Sequence, residues 1–204
     1  MGRLIGCILA TVIFAACAAT ADRAQKTAET PKPKANLTNW QTVVIEGKSI
    51  KFQLPPNWRH DESDLKNSNE FFTHEAYEWN NPEKDLVRFF LSTYPKGFLT
   101  NEGKPASKEQ MLQNELNFLL NDPDHFKEVK QVKLGAVEGA FCVMEVDAGA
   151  DVGKRKGINW TAYRVYEGNP QEIEITISST ADEKKQELLR TIFDTIEVED
   201  KPTK

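Results

Sequence analysis

The chain has 204 residues, a formal net charge of -5 and 28% charged residues, the size of one modest domain with something attached, since domains take about 100–200 residues. A mean hydropathy of -0.54 and a pI near 5.4 exclude a polytopic membrane protein and argue against a nucleic-acid binder, which is normally basic. The 11 Phe, 4 Trp and 4 Tyr supply enough apolar surface to exclude disorder throughout.

At the N-terminus, Leu4 to Ala21 form an uncharged run of 18 residues between Arg3 and Asp22, at the lower limit for a membrane-crossing helix. The large apolar residues lie in its first part and Ala15 to Ala21 are small, the order of a secretory signal peptide. Phe14-Ala15-Ala16-Cys17 resembles the lipobox of bacterial lipoprotein precursors, with Phe14 standing where Leu is usual. The resemblance implies cleavage before Cys17, acylation of Cys17, and a stable hold on the lipid bilayer through several acyl chains, because a single chain binds only marginally. It further implies an exported lipoprotein, sorted to the outer membrane in a Gram-negative host because Ala18 rather than Asp follows the cysteine. An uncleaved anchor helix, or ordinary cleavage after Ala16-Cys17-Ala18, are the alternatives; all three place the domain outside the cytoplasm.

The cysteines then divide. Cys7 leaves with the signal, Cys17 carries lipid, and Cys142 remains without a disulfide partner in an apolar, strand-like run, which reads as a buried, inert thiol. The expected organisation is a signal peptide at 1–16, a lipidated cysteine and flexible tether at 17–38, a single domain at 39–200 and a polar tail at 201–204. The tether carries Thr30-Pro31-Lys32-Pro33-Lys34 and no aromatic residue, a composition that cannot bury a core.

From Trp40 onward the pattern is globular. Val43 to Ile45, a Glu46-Gly47-Lys48 turn and alternating Ile50, Phe52 and Leu54 predict a β-hairpin, closed by Pro55-Pro56-Asn57-Trp58. The polar stretch through Asn69 reads as a loop or a helical turn. Phe71 to Trp79 and Leu86 to Tyr94 read as strands. Ser107-Lys108-Glu109-Gln110 is a capping box opening a helix whose Leu112, Leu116, Leu119 and Leu120 form an apolar stripe, and Asp122-Pro123 closes it. Four strands follow, over 128–134, 139–148, 158–166 and 172–179. Thr180-Ala181-Asp182-Glu183 caps a second helix carrying Leu188, Leu189, Ile192, Phe193 and Ile196. Consecutive strands on short links favour an antiparallel α+β arrangement, an antiparallel sheet with helices packed on its faces.

Ile50-Lys51-Phe52-Gln53-Leu54-Pro55-Pro56-Asn57-Trp58 and Leu188-Leu189-Arg190-Thr191-Ile192-Phe193-Asp194-Thr195-Ile196 are similar to the opening strand-turn and the closing helix of the Mog1/PsbP-like family. That resemblance implies an α/β/α sandwich, a structural Trp58, and a scaffold or assembly role.

No catalytic constellation emerges. His60, His74 and His125 never take the spacing of a helical zinc pair, and Gly-x-Ser-x-Gly is absent. His60-Asp61-Glu62 and Asp122-Pro123-Asp124-His125 read as solvated loop charge. Gly149-Ala150-Asp151-Val152-Gly153-Lys154 fails as a phosphate-binding loop on spacing, on the missing Ser or Thr, and on the strand that follows. It leaves a hairpin tip bearing Lys154, Arg155 and Lys156, a weak surface contact for lipid headgroups or an acidic partner. The reading is therefore a non-enzyme without cofactor or metal, a membrane-anchored lipoprotein whose domain binds an envelope protein or supports assembly. A small-ligand or lipid carrier is the alternative, with an uncharacterised hydrolase third. Cys17→Ala is expected to abolish labelling by a fatty-acid analogue and to release the protein from the detergent-dependent membrane fraction; unchanged labelling would refute lipidation at this residue.

Overall fold

The computed structural model describes residues 37–62, 66–68, 72–97, 107–147, 154–180 and 182–200, leaving aside the side chains of 146, 147 and 154. The expected signal peptide, Cys17, nearly all of the expected tether, residues 148–153 and residues 201–204 lie outside the described residues. No helix among the described residues is long and apolar enough to cross a membrane.

Two antiparallel sheets and two helices make up the described chain. The hairpin of β1 (Gln41–Ile45) and β2 (Ile50–Leu54) forms as the alternation predicts, with Val43 opposite Phe52. Its turn requires left-handed backbone at Gly47, φ +69°, where glycine carries no steric penalty. The larger sheet contains β3 (Arg59–His60), β4 (Lys66–Ser68), β5 (Thr73–Asn80), β6 (Leu86–Thr93), β7 (Phe126–Leu134), β8 (Val137–Asp147), β9 (Lys154–Tyr166) and β10 (Asn169–Thr180). Its order is β3-β5-β6-β10-β9-β8-β7, with β4 also on β5. The β9–β10 link is two residues long, Glu167 and Gly168, both at positive φ, as a type I′ hairpin turn demands. Where a loop or helical turn was expected before Asn69, β3 and β4 extend the sheet. These strands are short and fully exposed, so no hydrophobic alternation marks them.

Helix α1 (Lys108–Asn121) starts as its capping box predicts: the Gln110 backbone N–H donates to Ser107 Oγ at 3.1 Å. Helix α2 (Glu183–Asp194) starts two residues later than its box suggests. Asp182 is the N-cap, accepting from the Lys185 N–H at 3.2 Å, because Thr180 still belongs to β10. A last strand, β11 (Glu197–Val198), escapes sequence notice at two residues and pairs with β2, so β1, β2 and β11 form a second, three-stranded sheet.

The α+β layering follows from alternation. On β8, Phe141 joins the main core, where it meets Phe193 of α2, while Ala140 and Cys142 turn to the opposite face and meet Leu119 of α1. The two helices therefore cover opposite faces of the larger sheet, α1 over β7, β8 and β9, and α2 beside the small sheet over β9 and β10. Within the main core Phe52 packs edge-on to Trp79 with ring centres 5.0 Å apart, and Trp58 lies buried in the same cluster, as its structural reading requires. Leu112, Leu116 and Leu119 pack inward, but Leu120 is 54% exposed: it sits about 100° around the helix from Leu119, beyond the edge of the buried stripe. Gly139 permits a close approach, since a Cβ there would collide with the Trp160 indole and stand 2.7 Å from the Thr161 carbonyl.

Arg164 joins the two sheets. It is 1% exposed, donates to Gln171 Oε1 at 2.9 Å and to the carbonyls of Lys48 at 2.8 Å and Glu199 at 2.6 Å, and stacks on Tyr166 at 4.3 Å. Tyr166 in turn donates to the Gly47 carbonyl. Burial lowers the guanidinium pKa to about 10, so the three acceptors are what keep this charge tolerable. Arg164→Met is expected to destabilise the domain by about 3 kcal/mol, because it strands buried acceptors; the urea midpoint measures it, and an unchanged midpoint would show that the clamp contributes nothing.

Candidate functional site

Period two divides β9 and β10 into an apolar and a polar face. Ile158, Trp160, Ala162 and Ile173, Ile175, Ile177 go to the main core, which leaves Asn159, Thr161, Tyr163 and Glu172, Glu174, Thr176 facing the side on which α1 packs. The ladder sets these in rows. Tyr163 lies opposite Glu172, Glu172 opposite Ser92 on β6, and Ser92 opposite His74 on β5.

The side chains along this row are hydrogen-bonded. Ser92 Oγ and His74 Nδ1 are 2.7 Å apart, and His74 is flanked by Phe72 and Phe90, with ring centres at 4.0 and 5.3 Å. The Tyr94 hydroxyl donates to Glu172 Oε2 at 2.8 Å. Asn159 Nδ2 donates to Glu174 Oε1 at 3.0 Å. Glu115 of α1 completes the cluster: burial, then the charges of Glu172 and Glu174, hold its carboxyl above the ordinary glutamate value. Burial and Glu172 push Tyr94 up to about 12 and raise Tyr163 further in the same direction. Both phenols stay protonated at neutral pH and act as donors to the carboxylates.

The Ser92–His74 contact meets one requirement of a hydrolase, a hydroxyl against an imidazole. Ser92, next to the last residue of β6, is nevertheless paired on both sides and is 5% exposed, so the ladder takes up its backbone N–H, which cannot serve an oxyanion. The row reads as a polar network that joins strands.

Beneath α1, Cys142 is fully buried against Leu119 and Ala140, and burial followed by Glu115 pushes its thiol up to about 12. A cavity of about 140 Å³ opens at the N-terminal end of α1, lined in part by Lys108, Leu112, Lys133, Glu138, Tyr163 and Asp200. Lys108 Nζ lies 4.0 Å from Asp200, and Glu138 accepts from the Gln131 amide at 2.9 Å.

The basic triplet begins β9 rather than standing free in a loop. Arg155 donates to the carbonyls of Lys84 and, at 3.2 Å, Ser178, while Lys156 pairs with Glu145 at 3.6 Å. The side chain of Lys154 is not among those described. His125 Nδ1 is 2.8 Å from Asp122 Oδ2, and His60 stacks on Trp79 at 4.8 Å. Among the described residues no three His, Cys, Asp or Glu side chains could together hold a metal ion.

The outer side of α1 is a further surface. Phe118 is 61% exposed, with its ring 5.8 Å from Phe126, and Leu120 is 54% exposed. From Gln110 to Asn121 the only charged residue is Glu115, which is half-buried in the seam. Sequence reading missed both this surface and the polar row. The lack of charge along α1 was visible, whereas the row depends on strand register.

No family model matches the sequence, and no curated protein matches it. Among solved structures the chain is similar to the cyanobacterial PsbP, CyanoP, of Synechocystis, at 11% identity over 83% of this chain and 98% of that one, with a TM-score of 0.49. It is also similar to LpqN of Mycobacterium tuberculosis, a protein involved in cell envelope biogenesis, at 15% identity over 78% and 90% of the two chains, with a TM-score of 0.47.

The thiol environment gives a direct check. With its ionisation moved from 9.0 to about 12, Cys142 holds about a thousandfold less thiolate at pH 8 than an ordinary thiol, and thiolate is the reactive form. Peptide-resolved iodoacetamide labelling is expected to leave Cys142 untouched in the native protein and to modify it after denaturation. Rapid native labelling would contradict the buried position.

Proposed function

We propose that this chain is a membrane-anchored envelope lipoprotein whose α+β domain works by binding another protein, without catalysis. The observation that carries the binding role is the exposed surface of α1, where Phe118 and Leu120, about 160° apart around the axis, stand exposed on the two flanks of a helix with a single charge between Gln110 and Asn121. Protein interfaces are depleted of charge at their centres and enriched in aromatic anchors. Gln110, Gln113, Asn114, Asn117 and Asn121, exposed beside them, offer neutral hydrogen-bonding groups that cost less to desolvate than ions. The anchor belongs to the same proposal: acylation at Cys17 and a tether to residue 38 would hold this surface close to the membrane. Orientation in the outer membrane, facing the periplasm, follows if the host is Gram-negative. Lys154, Arg155 and Lys156 are proposed as a secondary contact for anionic headgroups or an acidic partner.

The lipid-carrier alternative draws no support from the cavity beside α1, whose 140 Å³ falls short of the roughly 300–1,000 Å³ of pockets that enclose drug-sized ligands.

A photocrosslinking residue in place of Leu120, introduced into the full-length protein in cells, is expected to give a discrete adduct with one protein, while the same residue in place of Lys184 on α2 gives none. Phe118→Glu should remove that adduct while changing stability by no more than about 0.5 kcal/mol, as for other exposed positions. Identical adducts from both positions, or none from Leu120, would sink the reading.

A further inference from the structure

Among the described residues, the edges of both sheets are guarded against further pairing, with one exception. β7, which ends the larger sheet, carries Lys127, Lys130 and Lys133 and a register shift; at the other end β3 and β4 are two and three residues long and include Arg59 and Lys66. In the small sheet β11 has two residues, Glu197 among them, with Glu199 and Asp200 close behind. Charge, irregularity and shortness are how sheets prevent edge-to-edge association. β1 has none of these. It is five residues long, Gln41-Thr42-Val43-Val44-Ile45, without charge or proline, and it pairs with β2 alone. From Leu37 to Ile45 the chain holds no ionisable side chain, and Val44 is 52% exposed.

Three hydrogen bonds fix which backbone groups of β1 look outward. The Gln53 N–H donates to Thr195 Oγ1 at 2.9 Å, so Gln53, the ladder partner of Thr42, turns its N–H away from β1. Ile45 turns its carbonyl into the hairpin and accepts from the Lys48 N–H at 3.1 Å, while the Trp40 N–H is spent outside the ladder, on the Leu37 carbonyl at 2.9 Å. Successive residues of a strand direct their N–H and C=O to opposite edges. Gln41, Val43 and Ile45 therefore address β2, and Thr42 and Val44 present theirs to the open edge.

We propose that this edge pairs with its own counterpart in a second copy of the chain, β1 antiparallel to β1 about a twofold axis through Val43. In that register Thr42 of each copy faces Val44 of the other, so every outward N–H meets an outward carbonyl. A slip of one residue would set outward groups against inward ones. Centring on Thr42 would need the N–H of Trp40, which is already taken, and centring on Val44 would run the ladder into the Glu46 turn. The charges permit the pairing. The two Glu46 side chains would stand about 20 Å apart along the strands at 3.4 Å per residue, beyond the screening length of about 8 Å at physiological salt. Lys51, opposite Val44 on β2, is already paired with Glu197 at 2.9 Å. The chain's own N-terminal segment is a poorer occupant. Neither Thr38 nor Asn39, between Leu37 and Trp40, takes the positive φ that a two-residue hairpin requires. A strand returning from that turn would also set Pro33 opposite Val44, where the ladder needs an N–H that proline lacks. The edge is separate from the Phe118 surface of α1, so either contact can fail without the other.

One strand pair is a small interface, so association is expected to depend on concentration. Sedimentation equilibrium of the full-length protein in density-matched detergent should show monomer passing to dimer as concentration rises. Val44→Lys, which places on this edge the residue type that guards β7, should raise the dissociation constant by about tenfold, since two cross-strand pairs are altered at once. Monomer at every concentration, or a dimer indifferent to Val44→Lys, overturns the proposal. The register has its own check. Oxidation of an equimolar mixture of Thr42→Cys and Val44→Cys proteins should join residue 42 of one copy to residue 44 of the other, and either protein alone should bridge far less at these positions; no 42-to-44 bridge, or equal bridging in each protein alone, defeats the pairing. A photocrosslinking residue in place of Val44 in cells separates the occupants: an adduct to a second copy agrees with the proposal, whereas an adduct to a different protein, or to residues 18–36 of the same chain, refutes it.

Discussion

The register of β10 is the constraint on which the rest of this domain depends. Ile173, Ile175 and Ile177 are each fully buried, and the residues between them are Glu174 and Thr176, with Glu172 just before. β10 pairs with β6 on one side and β9 on the other over nearly its whole length, so its alternation sets the faces of both neighbours. A slip of one residue would send three isoleucines to the polar side and the two glutamates into the core, a loss of several kcal/mol at about 25 cal/mol per Å² of apolar surface. The same alternation fixes the position of α2 and the small sheet on one face and of α1 on the other.

The two faces are secured by different physics. On the main-core side, large aromatic and branched residues from β2, β5, β6, β8, β9, β10 and α2 close on one another, and Arg164 ties the small sheet to the large one through backbone carbonyls far apart in sequence. On the other side α1 rests on a small cluster. Stability is distributed accordingly: elements held by few apolar contacts open at lower free energy than the core strands. The polar network of His74, Ser92, Tyr94, Glu172 and Tyr163 connects the central strands to this less firmly held face. The envelope-binding reading concerns this helix and is consistent with an element that is seated without being locked.

Edge protection bears on how the domain meets other molecules. β7 ends the larger sheet, and Lys127, Lys130 and Lys133 lie along it, with a register shift between Lys127 and Lys130 and left-handed backbone at Glu128, φ +51°. Charged edge residues and a bulge discourage pairing with a stray strand, which leaves the outer side of α1 as the more open surface for a partner.

Much of the architecture was legible in the residues. The hairpin of β1 and β2, both helices and the long strands are marked by alternation, capping residues and glycine turns, because those signals are local and act within a few positions. β3, β4 and β11 were not legible, being too short or too exposed to carry a periodic pattern, and their pairing is supplied by strands already in place. The α2 cap shifted from Thr180 to Asp182 because β10 runs on through Thr180, a demand of tertiary pairing. For the candidate site, the sequence by itself determined that Cys142 sits as a buried thiol in an apolar strand. Only the tertiary structure decided that Ser92 meets His74, that Tyr94 donates to Glu172, and that Tyr163 lies opposite Glu172. Such meetings join positions tens of residues apart through strand register and helix placement, and no local spacing encodes them.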